Sequence, residues 1–135
     1  MINYKVKAKK ELVDEMINPI ISSLEESDAN KKAVYQINLA LEEIFVNIVN
    51  YAYKDDNGYV DISYDINKSK KQILIIIKDK GKAFNPLEKE DPTLSGTAQE
   101  RKIGGLGIYI VKNIVDDIKY QRVNKENILK IIKNI

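Results

Sequence analysis

The chain contains no cysteine and no histidine among its 135 residues. Without cysteine there is no disulfide and no thiolate metal site, although the redox compartment stays open. Without histidine there is no Ser–His or Cys–His nucleophile pair, and no phosphohistidine relay can start on this chain. Long apolar runs are missing as well: none approaches the roughly 20 residues of a helical membrane span, so no membrane partner is expected. The opening residues, MINYKVKAKK, alternate polar and apolar and lack the apolar centre of a signal peptide, so a cytoplasmic location is expected. An excess of charge of one sign is missing too. The net charge is +2 and the basic residues are spread along the chain, which argues against direct binding of nucleic acid.

What is present describes a soluble globular domain: 44% hydrophobic and 31% charged residues. The length predicts one domain, residues 1–135, able to bury roughly 70% of its unfolded surface. Residues 2–8 alternate as a strand does. Leu12, Val13, Met16, Ile17, Ile20, Ile21 and Leu24 recur at three- and four-residue steps. They predict an amphipathic helix from Lys9 to about Leu24, which Pro19 either kinks or restarts. Ser27 or Asp28 can cap a second helix running from about Asn30 to Tyr53. There Val34, Ile37, Leu41, Ile44, Phe45, Ile48 and Ala52 share an arc of about 100°, a core-facing stripe. Glu43, Asn47 and Asn50 fall together near the opposite side.

Asn57-Gly58 supplies turn chemistry before a strand at 59–66 with clean alternation. Residues 72–79 are apolar on both faces, as in a central strand, and pair with 59–66 as an antiparallel hairpin. From Gly81 to Gly105 the chain carries prolines, glycines and charge with little periodicity, a length typical of a lid or a disordered stretch. An apolar helix opens on the glycines at 104–107, and strands follow near 118–123 and 127–133. The predicted order is β-α-α-β-β-lid-α-β-β. This is an α+β fold, a two-layer sandwich with helices on one face of a mixed, mostly antiparallel sheet.

Three constellations carry candidate chemistry. Glu43 and Asn47, four residues apart on a helix, lie within about 6 Å on one face. A carboxylate there can take a proton from a hydroxyl or water, and an amide oxygen can complete a Mg²⁺ shell. Taken alone the pair also fits an ordinary solvated face. Asp79 ends the apolar ridge Ile73–Ile75–Ile77 and needs a partner, such as a purine amino group, while Gly81 lets backbone approach the ring. Alone, Asp79-x-Gly81 is equally a strand-ending turn. Gly105-x-Gly107 opens a helix whose N–H groups can meet phosphate, or it is a flexible hinge. It is neither a Walker A loop nor a full Rossmann fingerprint.

In order, the three read EEIFVNIVNYAY, IKDKGKAFNP and GGLGIYIVKNIVDDIKY. Together they resemble the GHKL ATPase family, the Bergerat ATP-binding fold, over nearly the whole chain. In size, and in the stretch from Asp116 to Tyr120, the chain is similar to bacterial anti-sigma factor serine/threonine kinases. The resemblance implies ATP and Mg²⁺ as cofactors, with an ATP lid over about residues 84–104. It implies Glu43 as general base and Asn47 as the Mg²⁺ ligand. Asp79 would accept from the adenine amino group, and Gly81 would permit the close turn. Gly105, Leu106 and Gly107 would cradle phosphates. Arg101 and Lys102 are either phosphate partners or solvated lid charges.

The implied function is an ATP-binding anti-sigma regulatory factor. It would sequester a sigma factor and phosphorylate an anti-anti-sigma partner of the STAS-domain type on Ser or Thr. The alternative is a nucleotide-gated protein-binding module without significant kinase activity. Retention of Glu43 favours the kinase, because a pure binder needs no base. A homodimer is open to the chain as well, through the edge strand at residues 2–8. One position departs from the family: Tyr51 stands where a His often follows the Asn by four residues. That departure bears on partner geometry or turnover, not on ATP binding.

Overall fold

The computed structural model describes residues 1–53, 58–88 and 105–135. Strand β1 (Ile2–Lys7) leads through a 3-10 turn (Lys10–Leu12) into helices α1 (Val13–Glu26) and α2 (Lys31–Tyr51). A hairpin of β2 (Tyr59–Asn67) and β3 (Gln72–Asp79) comes next, then a 3-10 turn at Pro86–Glu88. Helix α3 (Gly105–Ile114) and a second hairpin, β4 (Asp117–Val123) and β5 (Glu126–Asn134), complete the order. Asn57 of the expected turn lies outside the described residues. So does most of the expected lid, with Arg101 and Lys102.

The sheet runs β1-β2-β3-β5-β4, and every neighbouring pair is antiparallel. The sequence suggested some parallel pairing, and topology explains the difference. Strands β3 and β4 do run in the same direction on either side of α3, as a crossover connection requires. Strand β5 inserts between them and pairs antiparallel with both.

Period two places Val60 and Ile62 of β2, Ile73, Ile75 and Ile77 of β3, and Leu129 and Ile131 of β5 on one buried face. Onto it pack Met16, Ile20 and Leu24 of α1, Ile37, Leu41, Ile44 and Phe45 of α2, and Val111 of α3. Each such side chain contributes roughly 1.5–3 kcal/mol when removed from water. β3 is central because it is apolar on both sides; its far-side Leu74 and Ile76 are half-buried. No described helix is long and apolar enough to cross a membrane.

Helix α1 continues through Pro19. Proline has no N–H for the Glu15 carbonyl and loosens that turn. Two sheet tyrosines supply donors there. The Tyr4 hydroxyl donates to the Met16 carbonyl, and the Tyr64 hydroxyl donates to the Pro19 carbonyl at 3.2 Å. Burial, and secondarily the neighbouring Tyr64, push the Tyr4 phenol above its usual range. Helix α2 starts on a cap other than Ser27 or Asp28. Asn30 Oδ1 accepts from the backbone N–H of Lys32 (2.8 Å) and of Ala33 (3.4 Å). Ser27 instead closes α1, donating its hydroxyl to the Ser23 carbonyl at 2.8 Å. Asp28, at a left-handed φ of 55°, turns the chain away.

Candidate functional site

Glu43 and Asn47 stand one turn apart on α2, and α3 packs against that helix. This contact changes the environment that helical periodicity suggested. Asn47 was expected away from the core stripe, yet it is only 7% exposed, because α3 and the sheet cover its side. Its Nδ2 has no hydrogen-bond partner among the described residues. An unpaired buried amide costs about 1–3 kcal/mol, so Asn47 is not at this position for stability. Glu43 is half-buried against the first turn of α3. A Cβ on Gly107 would lie 2.0 Å from Glu43 Oε2, so glycine makes room for the carboxylate. Asn50 is exposed near the helix end.

The turn after β3 is tied to the end of α2. A Cβ on Gly81 would lie 2.2 Å from the Ala52 carbonyl oxygen, and the next N–H, of Lys82, donates to that oxygen at 2.7 Å. The Tyr53 hydroxyl accepts from the Lys80 N–H and donates to the Tyr59 carbonyl, both at 2.8 Å. Within this turn Asp79 is 6% exposed. Its Oδ1 accepts from the Gly81 N–H and from Asn127 Nδ2, both at 2.9 Å. Among the described residues no donor reaches Oδ2. Burial raises the Asp79 pKa; Asn127, the Gly81 N–H and Arg122 act against that rise, and Glu126 reinforces it.

One pocket joins these features. Asn47 and Ile48 of α2, Asp79 of β3, Phe84, Ile108 of α3 and Asn127 of β5 are among the residues that line it. Ile44, Ile77 and Leu129 complete an apolar wall suited to a flat ring. Asn47 and Asp79 therefore share a pocket, with Gly81 in the adjoining turn. Glu43 is outside the pocket wall, beside Gly107. Gly105 begins α3, and the Leu106 side chain lies outside the described residues. Among the described residues no cluster of three or more acidic, His or Cys side chains could hold a metal. A divalent cation here would rest on Asn47 and on oxygens the ligand or water brings.

The sequence reading missed Asn127, only 6% exposed, and Arg122, and gave no role to Tyr120 or Phe84. Asn127 had a legible signal. It shares the inward face with Leu129 and Ile131 by period two, as Asp79 does with Ile75 and Ile77, and the two polar residues stand opposite each other in register. Tyr120 donates its hydroxyl to Asn127 Oδ1. Asp116, at the other end of that motif, accepts from the Asn134 N–H at 2.6 Å. Tyr51 stacks on Phe84, with ring centroids 5.9 Å apart.

Residues 6–133 match the family described as histidine kinase-like ATPase domain. Curated relatives include RsbW serine-protein kinases. The Bacillus subtilis (strain 168) protein is 29% identical over 93 residues, covering 65% of this chain and 57% of the relative. The Oceanobacillus iheyensis protein is 26% identical over 128 residues, covering 87% of this chain and 77% of the relative. The chain thus spans less than two thirds of the Bacillus subtilis protein. Among solved structures, the RsbU and RsbW domains of a Mycobacterium tuberculosis protein match with a TM-score of 0.65 at 12% identity. That match covers 99% of this chain and 32% of the other. The catalytic domain of the histidine kinase ThkA matches with a TM-score of 0.55 at 14% identity, covering 99% and 97%. At such identities the structural likeness speaks for the fold alone.

Proposed function

The chain belongs to the histidine kinase-like ATPase domain family, and from that premise we propose that it binds ATP between α2, β3 and α3 and is a serine/threonine kinase of the anti-sigma class. Its protein substrate would be an anti-anti-sigma partner of the STAS type, and the protein it sequesters a sigma factor. The RsbW relatives support this class. The observation that carries the reading is Asn47: a buried amide whose Nδ2 has no partner among the described residues, in the same pocket as a buried carboxylate whose Oδ2 likewise receives no donor from them.

Each residue then has a task. Asp79 Oδ2 accepts from the base amino group, and Ile77, Ile108 and Leu129 surround an apolar ring. Asn47 offers its amide oxygen to Mg²⁺ and has Nδ2 left for a phosphate oxygen. Gly105 to Gly107 present the start of α3 to the phosphates. Bound Mg-ATP supplies the transferable phosphoryl group and the charge neutralisation that its transfer needs. Glu43 takes the proton of the partner's Ser or Thr hydroxyl while that oxygen bonds to phosphorus. The bond from phosphorus to the β-phosphate oxygen breaks, and ADP leaves.

The experiment is a label-transfer assay with Mg-ATP and STAS-type partner domains, run on the unmodified protein and on Glu43→Gln. Transfer that disappears in Glu43→Gln while ATP affinity persists supports the kinase. No transfer from the unmodified protein to any such partner supports the nucleotide-gated binding module instead. Thermal stabilisation by ATP tests the nucleotide itself, since a ligand bound only by the native state raises the melting temperature.

A further inference from the structure

Building on that nucleotide reading, we infer that Asn127, held by Tyr120 and Arg122, is a positioning residue for Asp79 that sets the preference for adenine over guanine nucleotides.

The amide of Asn127 is fully engaged by protein. Nδ2 donates to Asp79 Oδ1 at 2.9 Å and to the Lys82 carbonyl at 2.8 Å. Oδ1 accepts from the Tyr120 hydroxyl, from Arg122 at 3.1 Å and from the Phe84 N–H at 3.4 Å. These partners fix the orientation of the amide. Turned over, it would set oxygen against both the Asp79 carboxylate and the Lys82 carbonyl. Arg122 also donates to the Gly81 carbonyl at 2.8 Å, so β4 and β5 together grip the turn that carries Asp79. Asn127 has no donor left for a ligand; its effect passes through Asp79.

Specificity follows from the state of that carboxylate. Ionised and unrotated, Asp79 presents only acceptors, which suits an adenine amino group and repels a guanine carbonyl. Protonated, it could donate to that carbonyl, and discrimination would fall. The groups acting on Asp79 are Asn127 and Glu126 of β5, Arg122 of β4, the Gly81 N–H of its own turn, and Tyr53 beyond α2. Asn127 and Arg122 hold the ionised form against burial; Glu126 opposes them.

The test measures ATP and GTP affinity from pH 5 to 8 for the unmodified protein, Asn127→Leu, Asn127→Asp and Arg122→Ala. Asn127→Leu should lower ATP affinity about tenfold at pH 7, the effect of roughly one charge-assisted hydrogen bond. It should also shrink the ATP-to-GTP ratio and move the acid loss of ATP binding to higher pH. Asn127→Asp sets a second carboxylate beside the first and should act in the same direction more strongly. Arg122 is exposed, so Arg122→Ala keeps the test alive if the buried variants fail to fold; the same shifts are expected, by a few-fold. Unchanged ratios and acid limbs in every variant that folds would overturn the inference. A separate measurement isolates it from the function proposed above: the Asp79 carboxyl midpoint, read by NMR without nucleotide. If the unmodified protein binds no ATP, the nucleotide reading fails. A midpoint raised in Asn127→Leu still establishes the positioning role, and an unmoved one removes it.

Discussion

The two ends of the pocket are built on opposite principles. Around Asp79 the protein itself engages the polar groups apart from Oδ2, through Asn127, Arg122, Tyr120 and the backbone of residues 81–84. Around Glu43 and Asn47 they are not. Asn47 Nδ2 is buried without a partner, and no hydrogen bond to Glu43 is made among the described residues. Buried polar groups are normally paired, so the first end is pre-organised and the second is short of a partner. A planar base gains from a rigid acceptor of fixed direction. On the proposed reading, the oxygens and charge of a polyphosphate with its cation would complete the second end. Internal hydrogen bonds are concentrated where the base would be read, and unsatisfied groups collect where the chemistry would take place.

This contrast can be broken from either side. The largest effect is expected for Asp79→Asn, which keeps an oxygen for the Gly81 and Asn127 donors but ends ionisation. ATP affinity should fall on the order of a hundredfold or more, measured by calorimetry. Stability should move the other way. The folded pKa of Asp79 is raised, so the stability linked to it is full below the unfolded pKa, declines as pH rises toward the folded value, and is level above it. At pH 7 the carboxylate is thus a cost, and Asp79→Asn should melt at the same temperature or higher. Glu43→Gln should lower phosphoryl transfer about 10²–10⁴-fold with ATP affinity little changed, in single-turnover assays.

Gly107→Ala is a finer probe of the second end. The new methyl meets the flexible tip of Glu43, so the fold should hold to within about 1 kcal/mol by denaturant titration, helped by better helix propensity. The displaced carboxylate should still lower transfer roughly tenfold. Tyr51→Ala should do least. It removes the stack on Phe84, worth about 0.5–1.5 kcal/mol, and should weaken ATP binding a few-fold.

Much of this frame was legible in the residues. The central strand at 72–79 appeared with its observed limits, because a run apolar on both faces ending in Asp-x-Gly has few other readings. The helices followed from a period of 3.6, and the last two strands were legible near 118–123 and 127–133, though not their pairing as a hairpin. What escaped was tertiary. Asn47 read as facing away from the core because one helix seen alone has an outside, and that side is where α3 docks. Asn30 was passed over as a cap because Ser27 and Asp28 are also good cap formers, and only the φ of 55° at Asp28 decides between them. Asn127 was overlooked since a polar residue at the start of a strand is unremarkable until its register partner is known to be Asp79.

The insertion of β5 between β3 and β4 also governs when a working pocket can exist. Asp79 is followed by nearly fifty residues before Asn127 arrives to steady it, and loop closure over that span comes late. A chain emerging from the ribosome could therefore fold α1, α2 and the first hairpin and still have an unbraced carboxylate. On the proposed reading, competence to hold the base would arrive only with β5, so nucleotide capture would wait for that strand to pair.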